Sequence, residues 1–107
     1  DYQTTLNTQV KNMVKDINDL GDTIYKLNKK IAKIEAAGIE KANDLRDERD
    51  RTIDELSKYI DITYYETDSK EVVITAANVP FVTMGERAVM DTRVVEGTNL
   101  VIPTWPG

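Results

Sequence analysis

The chain has 107 residues, enough for one domain or part of one, and it contains neither cysteine nor histidine. The missing cysteines exclude disulfides, thiol nucleophiles and thiolate metal sites, and the missing histidines remove the commonest general base and metal ligand. The net charge is −5, and residues 60–107 carry seven acidic against three basic side chains. Because this balance would repel a phosphate backbone, we expect no nucleic-acid partner.

Further function classes are excluded by what the sequence lacks. No apolar run approaches the ~18 residues that cross a bilayer, so we expect no membrane partner. There is no glycine-rich phosphate loop, and no histidine is present to activate a serine or threonine, so we expect neither a cofactor nor an enzyme. The chain begins with Asp1 instead of methionine and stops at residues 105–107 just after an apolar stretch, so we expect a piece of a longer protein. No signal peptide is visible.

A long apolar seam is the strongest pattern in the first third of the chain. Its nine members follow one another at alternating steps of four and three: Leu6, Val10, Met13, Ile17, Leu20, Ile24, Leu27, Ile31 and Ile34. This spacing predicts a helix over about residues 4–36, of the kind found in coiled coils and helical bundles. Gly21 lies beside the seam and marks either a bend or the close approach of a neighbour. Gly38 is expected to end the helix in a left-handed conformation.

A second helix is predicted over residues 43–59, with Asn43 as its N-cap. Its own apolar positions are interrupted by Arg49, which stands where the next core residue is expected. Two interpretations stay open. Either the aliphatic stem of Arg49 packs while its head reaches water or a partner, or the head forms an inward ion pair or hydrogen bond to the facing helix that fixes the register.

β-branched and aromatic residues dominate after Tyr59 and predict strands near residues 62–65, 72–75 and 81–84, with two further candidates at 92–95 and 100–102. Turns are expected at 67–70, at Ala77 and Asn78, and around Gly97 and Asn99. The predicted fold class is therefore α+β. A long coiled-coil-like helical hairpin occupies residues 1–59, and a small antiparallel β meander occupies residues 60–107.

The second helix is too short to cover the whole seam, which leaves its early turns bare. Burying one leucine or isoleucine is worth about 1.5–3 kcal/mol, so we expect an outside surface to cover this strip and the isolated chain to self-associate through it. The candidate interaction residues are Leu6, Val10, Met13, Ile17 and Leu20. Uncharged flanking residues favour a multi-helix layer, whereas the β-branched residues at alternate seam positions fit a parallel dimer.

Other candidate sites are better explained as ordinary structure. The carboxylates between Asp44 and Glu55 alternate with arginines on the second helix, which is typical of a solvated, salt-bridged face and not of a calcium loop. Trp105 is expected to pack against the β-strands of residues 60–107, called here the β-unit, or to be disordered at the chain end. The alternative is that Trp105 anchors a binding partner. Tyr64 and Tyr65 are interpreted as strand residues on opposite faces.

Residues 20–65 resemble a known family. Residues 42–50 (ANDLRDERD) and 53–57 (IDELS) are similar to a segment of flagellar hook-associated protein 1, as are the preceding helix 27–35 (LNKKIAKIE) and the strand 60–63 (IDIT). Glu48 departs from the family, where glutamine is common, and residues 39–41 replace a more glycine-rich link.

The resemblance implies a structural component at the junction of the flagellar hook and filament, exported from the cell. Implied partners are neighbouring copies and other axial proteins, namely the hook protein and the second hook-associated junction protein. Two other classes stay open: a prefoldin-like holdase chaperone, which also joins helices through a β-unit, and the dimeric coiled-coil stalk of an adhesin or phage fibre.

Overall fold

Two helices precede five strands in the computed structural model, which describes residues 2–38, 40–95, 97 and 100–105. The helices are α1 (Tyr2–Glu35) and α2 (Asn43–Ser57). The strands are β1 (Ile62–Glu66), β2 (Val72–Ala76), β3 (Val79–Val82), β4 (Asp91–Val94) and β5 (Val101–Thr104). The α+β prediction is confirmed, although the strands form two antiparallel sheets, β1-β2-β3 and β4-β5, in place of one meander. The turn residue Asn99 lies outside the described residues.

The two helices form an antiparallel hairpin. Gly38 has the expected left-handed backbone, with φ of 68°, and the chain then returns along α1. The hydroxyl of Tyr59 reaches Asp16 at 3.4 Å, so the end of the α2 segment lies beside the middle of α1. The prediction that Asn43 caps α2 is wrong, because Ala42 occupies that position. Its backbone N–H donates to Oε2 of Glu35 at 2.9 Å, so a carboxylate from the last turn of α1 binds there instead.

The prediction of a bare strip on α1 is also wrong, because the β-unit of the same chain covers it. Ile17 is only 1% exposed, and it belongs to one core with residues of α2, β2 and β3. Val10, Met13 and Leu20 are half-buried and pack against that core. Leu6 is half-buried as well. Other residues of the same molecule therefore cover the early turns of the seam. This removes the basis for self-association through this strip.

Gly21 is the point of closest approach between α1 and the sheet. A Cβ atom built on Gly21 would lie 2.6 Å from Cζ of Phe81, which is 1% exposed. The Phe81 ring in turn meets Trp105 edge to face, with the ring centroids 5.4 Å apart. Glycine at this position therefore lets β3 lie directly on the helix, and Trp105 packs against the β-unit as expected.

Candidate functional site

Asparagine side chains of α1 bind the backbone of the β-unit. Asn28 is fully buried; its Oδ1 accepts the N–H of Val72 and its Nδ2 donates to the carbonyl of Val72, both at 2.9 Å. Asn18 makes the same pair of bonds to Met90, both at 2.7 Å. A primary amide presents a donor and an acceptor side by side. Each asparagine therefore makes both backbone hydrogen bonds that a neighbouring β-strand would make to that residue.

A third asparagine extends this arrangement toward the N-terminus of α1. The Oδ1 atom of Asn7 accepts the N–H of Val101 at 2.9 Å. Asn7, Asn18 and Asn28 are called here the asparagine clamps. They follow one another at about three helical turns, which is roughly 15 Å along α1. Asn7 and Asn28 are among the uncharged residues that flank the seam in the sequence. Their recurrence beside it was the available signal.

Arg49 is buried, with 2% exposure, and its head points inward. Its Nη1 atom donates to Oδ1 of Asn28 at 3.1 Å and to the carbonyl of Lys70 at 2.9 Å, while Nη2 donates to Glu66 at 2.8 Å. The inward hydrogen bond to the facing helix, one of the two interpretations of this residue, is therefore present. That Arg49 fixes the register of the hairpin stays a prediction.

Arg46 joins the same polar network and ties both helices to β1. Its Nε and Nη2 atoms donate to the two carboxylate oxygens of Glu35, each at 2.6 Å, and its Nη1 donates to Glu66 at 2.8 Å. Two parallel bonds between a guanidinium and a carboxylate are the strongest arrangement that such a pair forms. Hydrogen bonds from Arg46, helped by the N–H of Ala42, lower the pKa of Glu35 to about 2.

The lowered pKa of Glu35 predicts a pH-dependent contribution to stability. The ionised carboxylate stabilises the fold fully above its ordinary pKa of 4.5, and this contribution is lost as the pH falls toward about 2. We therefore expect Glu35→Gln to lower the urea midpoint at neutral pH and to converge with the unsubstituted chain in acid. Glu40→Gln, at an exposed loop position, is the control for losing one charge. A difference that stays constant down to about pH 2 would contradict this role.

The outer surfaces are charged and aromatic. The carboxylates predicted to be solvated are all exposed along α2. Tyr64 and Tyr65 are neighbours in β1, paired with Ile74 and Val73 of β2, and remain 56% and 62% exposed. Across the described residues no group of acidic side chains is arranged to hold a metal ion, and no helix there is long and apolar enough to span a membrane.

Comparison with known proteins decides the family. The model of the flagellar hook-associated protein FlgK helical domain matches residues 1–99. The chain belongs to this family. Flagellar hook-associated protein 1 of Bacillus subtilis (strain 168) is 40% identical to it over 60 residues, which is 56% of the chain. The solved structure of the flagellar hook junction protein FlgK from Burkholderia pseudomallei has the same fold, with a TM-score of 0.85 over 98% of the chain at 20% identity.

The chain corresponds to only a small part of those proteins. The chain spans 12% of the Bacillus protein and 18% of the Burkholderia chain. The family model extends across both helices and most of the β-unit. The part of the chain that it matches therefore includes the asparagine clamps at Asn18 and Asn28 and the arginine network.

Proposed function

We propose that this chain is a rod-like structural domain of the bacterial flagellum, located at the junction of hook and filament and outside the cell. Its partners would be neighbouring copies of the same protein and other axial proteins, namely the hook protein and the second hook-associated junction protein. Membership of the FlgK helical domain family is the observation that carries this proposal. The names of the Bacillus and Burkholderia relatives support it.

The geometry supports a mechanical role. The molecule measures 58 by 25 by 17 Å, and α1 is 34 residues long. An isolated helix of this length bends, but here three asparagines fasten it to the β-unit, and Arg46 and Arg49 fasten it to α2 and β1. Hydrogen bonds and ion pairs at several points along α1 resist the sliding of one element along another. We infer that the domain transmits axial load as one stiff body and has no catalytic role.

The structure favours neither of the other classes that the sequence left open. A holdase needs apolar side chains exposed at helix ends, whereas most of the seam of α1 faces the core of the same molecule. A dimeric stalk needs a bare seam to meet its partner, and the β-unit occupies that position.

Deleting residues 2–105 from the encoding gene tests the proposed function in the cell. We expect hooks to be built normally but filaments to detach, because the junction would lack this domain. Electron microscopy of the cells and measurement of filament protein shed into the medium would show both effects. Restoring the unaltered segment should restore attachment. Filaments that stay attached without the segment would contradict the proposed function.

A further inference from the structure

Two exposed helix faces carry rows of charge that match each other. They are Lys26, Lys30 and Lys33 on α1, called here the lysine row, and Asp47, Asp50 and Asp54 on α2, called here the aspartate row. Lys26 pairs with Asp22 on its own helix at 2.9 Å. The side chains of the other five have no ion-pair partner within the part of the chain that the structure describes.

The spacing of the two rows is complementary. The lysine row has steps of four and three residues, and the aspartate row, taken from its C-terminal end, also has steps of four and then three. Both rows therefore extend about 10 Å along their helices. Two helices packed antiparallel would pair Lys26 with Asp54, Lys30 with Asp50 and Lys33 with Asp47. Within the described part of one molecule no ion pair joins the two rows, and all six side chains are exposed.

We propose that the lysine row of one copy docks on the aspartate row of a second copy of this chain. Since α1 and α2 are antiparallel within each copy, antiparallel pairing between copies places all copies in the same direction, side by side. Each copy then uses one row in a contact and presents the other to a further copy, which is how rings and tubes are built. This inference rests on the proposed function and specifies the contact between neighbouring subunits.

A groove beside the aspartate row gives the lysines further contacts. It has a volume of about 440 Å³ and is lined by Tyr64 and Tyr65 as well as by Asp47 and Asp50. Arg46 and Arg49 also line the groove and share the carboxylate of Glu66. With Asp47 and Asp50 the lining therefore holds three carboxylates against two arginines, a net charge of −1. Lysine stems pack on aromatic rings while their ammonium groups reach carboxylates, so the groove suits this occupant.

Disulfide trapping tests the contact in the chain as it stands. Exposed ion pairs are individually weak and are screened by salt, so the complex in solution is expected to be transient. The sequence has no native cysteine, which makes a pair of introduced cysteines specific. Lys30→Cys and Asp50→Cys variants, made with different mass tags, would be mixed at low salt under mild oxidation. A mixture of Lys15→Cys with Asp50→Cys is the matched control, because Lys15 is an exposed lysine of α1 outside the row.

We expect severalfold more mixed disulfide dimer from the Lys30→Cys and Asp50→Cys mixture than from the control, and a loss of this excess at high salt. The excess should also disappear when the Lys30→Cys copy carries Lys26→Glu and Lys33→Glu. It should return when the Asp50→Cys copy carries Asp47→Lys and Asp54→Lys. No excess over the control at low salt, or an excess unaffected by these reversals, would overturn the proposed contact. If filaments still detach when the segment is deleted, the proposed function stands and only this contact is wrong.

Discussion

Replacing Asn28 with leucine is expected to destabilise the fold by about 2–6 kcal/mol. The two side chains are similar in size, but leucine neither accepts the N–H of Val72 nor donates to its carbonyl. Arg49 also loses one of its acceptors. A buried polar group left without a partner costs about 1–3 kcal/mol, and at least two such groups are created here.

Urea unfolding followed by circular dichroism measures this loss, with Asn12→Leu as the matched control. Asn12 is an exposed asparagine of the same helix, and a surface change of this kind usually alters the unfolding free energy by no more than about 0.5 kcal/mol. Equal stabilities for the two variants would show that the clamp at Asn28 contributes nothing beyond packing.

Gly21→Ala is expected to destabilise the chain by about 1–3 kcal/mol, the usual cost of overpacking a core. At an exposed helix position the same change stabilises by about 1 kcal/mol, so the predicted sign is reversed. The reason is the ring of Phe81, whose Cζ and Cε2 atoms lie 2.6 and 2.7 Å from the position of the added carbon. The ring cannot move away freely, because it is buried against Trp105.

Thermal unfolding of two further variants separates this clash from a general effect of alanine. Gly85→Ala places a methyl group where no neighbouring atom lies within 4 Å, so its melting temperature should barely change. Gly21→Ala should lower the melting temperature less in a chain that already carries Phe81→Leu than in the unsubstituted chain. If Gly21→Ala raises the melting temperature, the close approach of β3 to α1 is wrong.

Local patterns in the sequence were enough to predict most elements of the fold. The apolar spacing of α1, the stop at Gly38 and the turn at Ala77 and Asn78, where both residues have positive φ, depend on neighbours in the chain. The position of Arg49 in the seam was visible as well, but the pattern left open whether its head reaches water or bonds inward. Its hydrogen bonds to Asn28 and Glu66 support the second interpretation.

What covers α1 could not be predicted, because the decisive bonds join distant parts of the chain. Asn28 and Val72 are 44 residues apart, and Asn18 and Met90 are 72 apart. An asparagine beside an apolar seam has the same local pattern whether it faces water or a strand. The strands were predicted, but their sequences did not show which of them meets α1.

Hydrogen exchange of two backbone amides tests most directly whether the β-unit covers α1. The N–H groups of Val72 and Met90 donate to the side chains of Asn28 and Asn18. If the clamps hold the β-unit on the helix, both amides exchange far more slowly than in an unfolded chain. Each should lose its protection when its own asparagine is replaced by leucine, while the amide of Ile24 on α1 stays protected. Unprotected Val72 and Met90 amides in the unsubstituted chain would mean that the long helix is left uncovered.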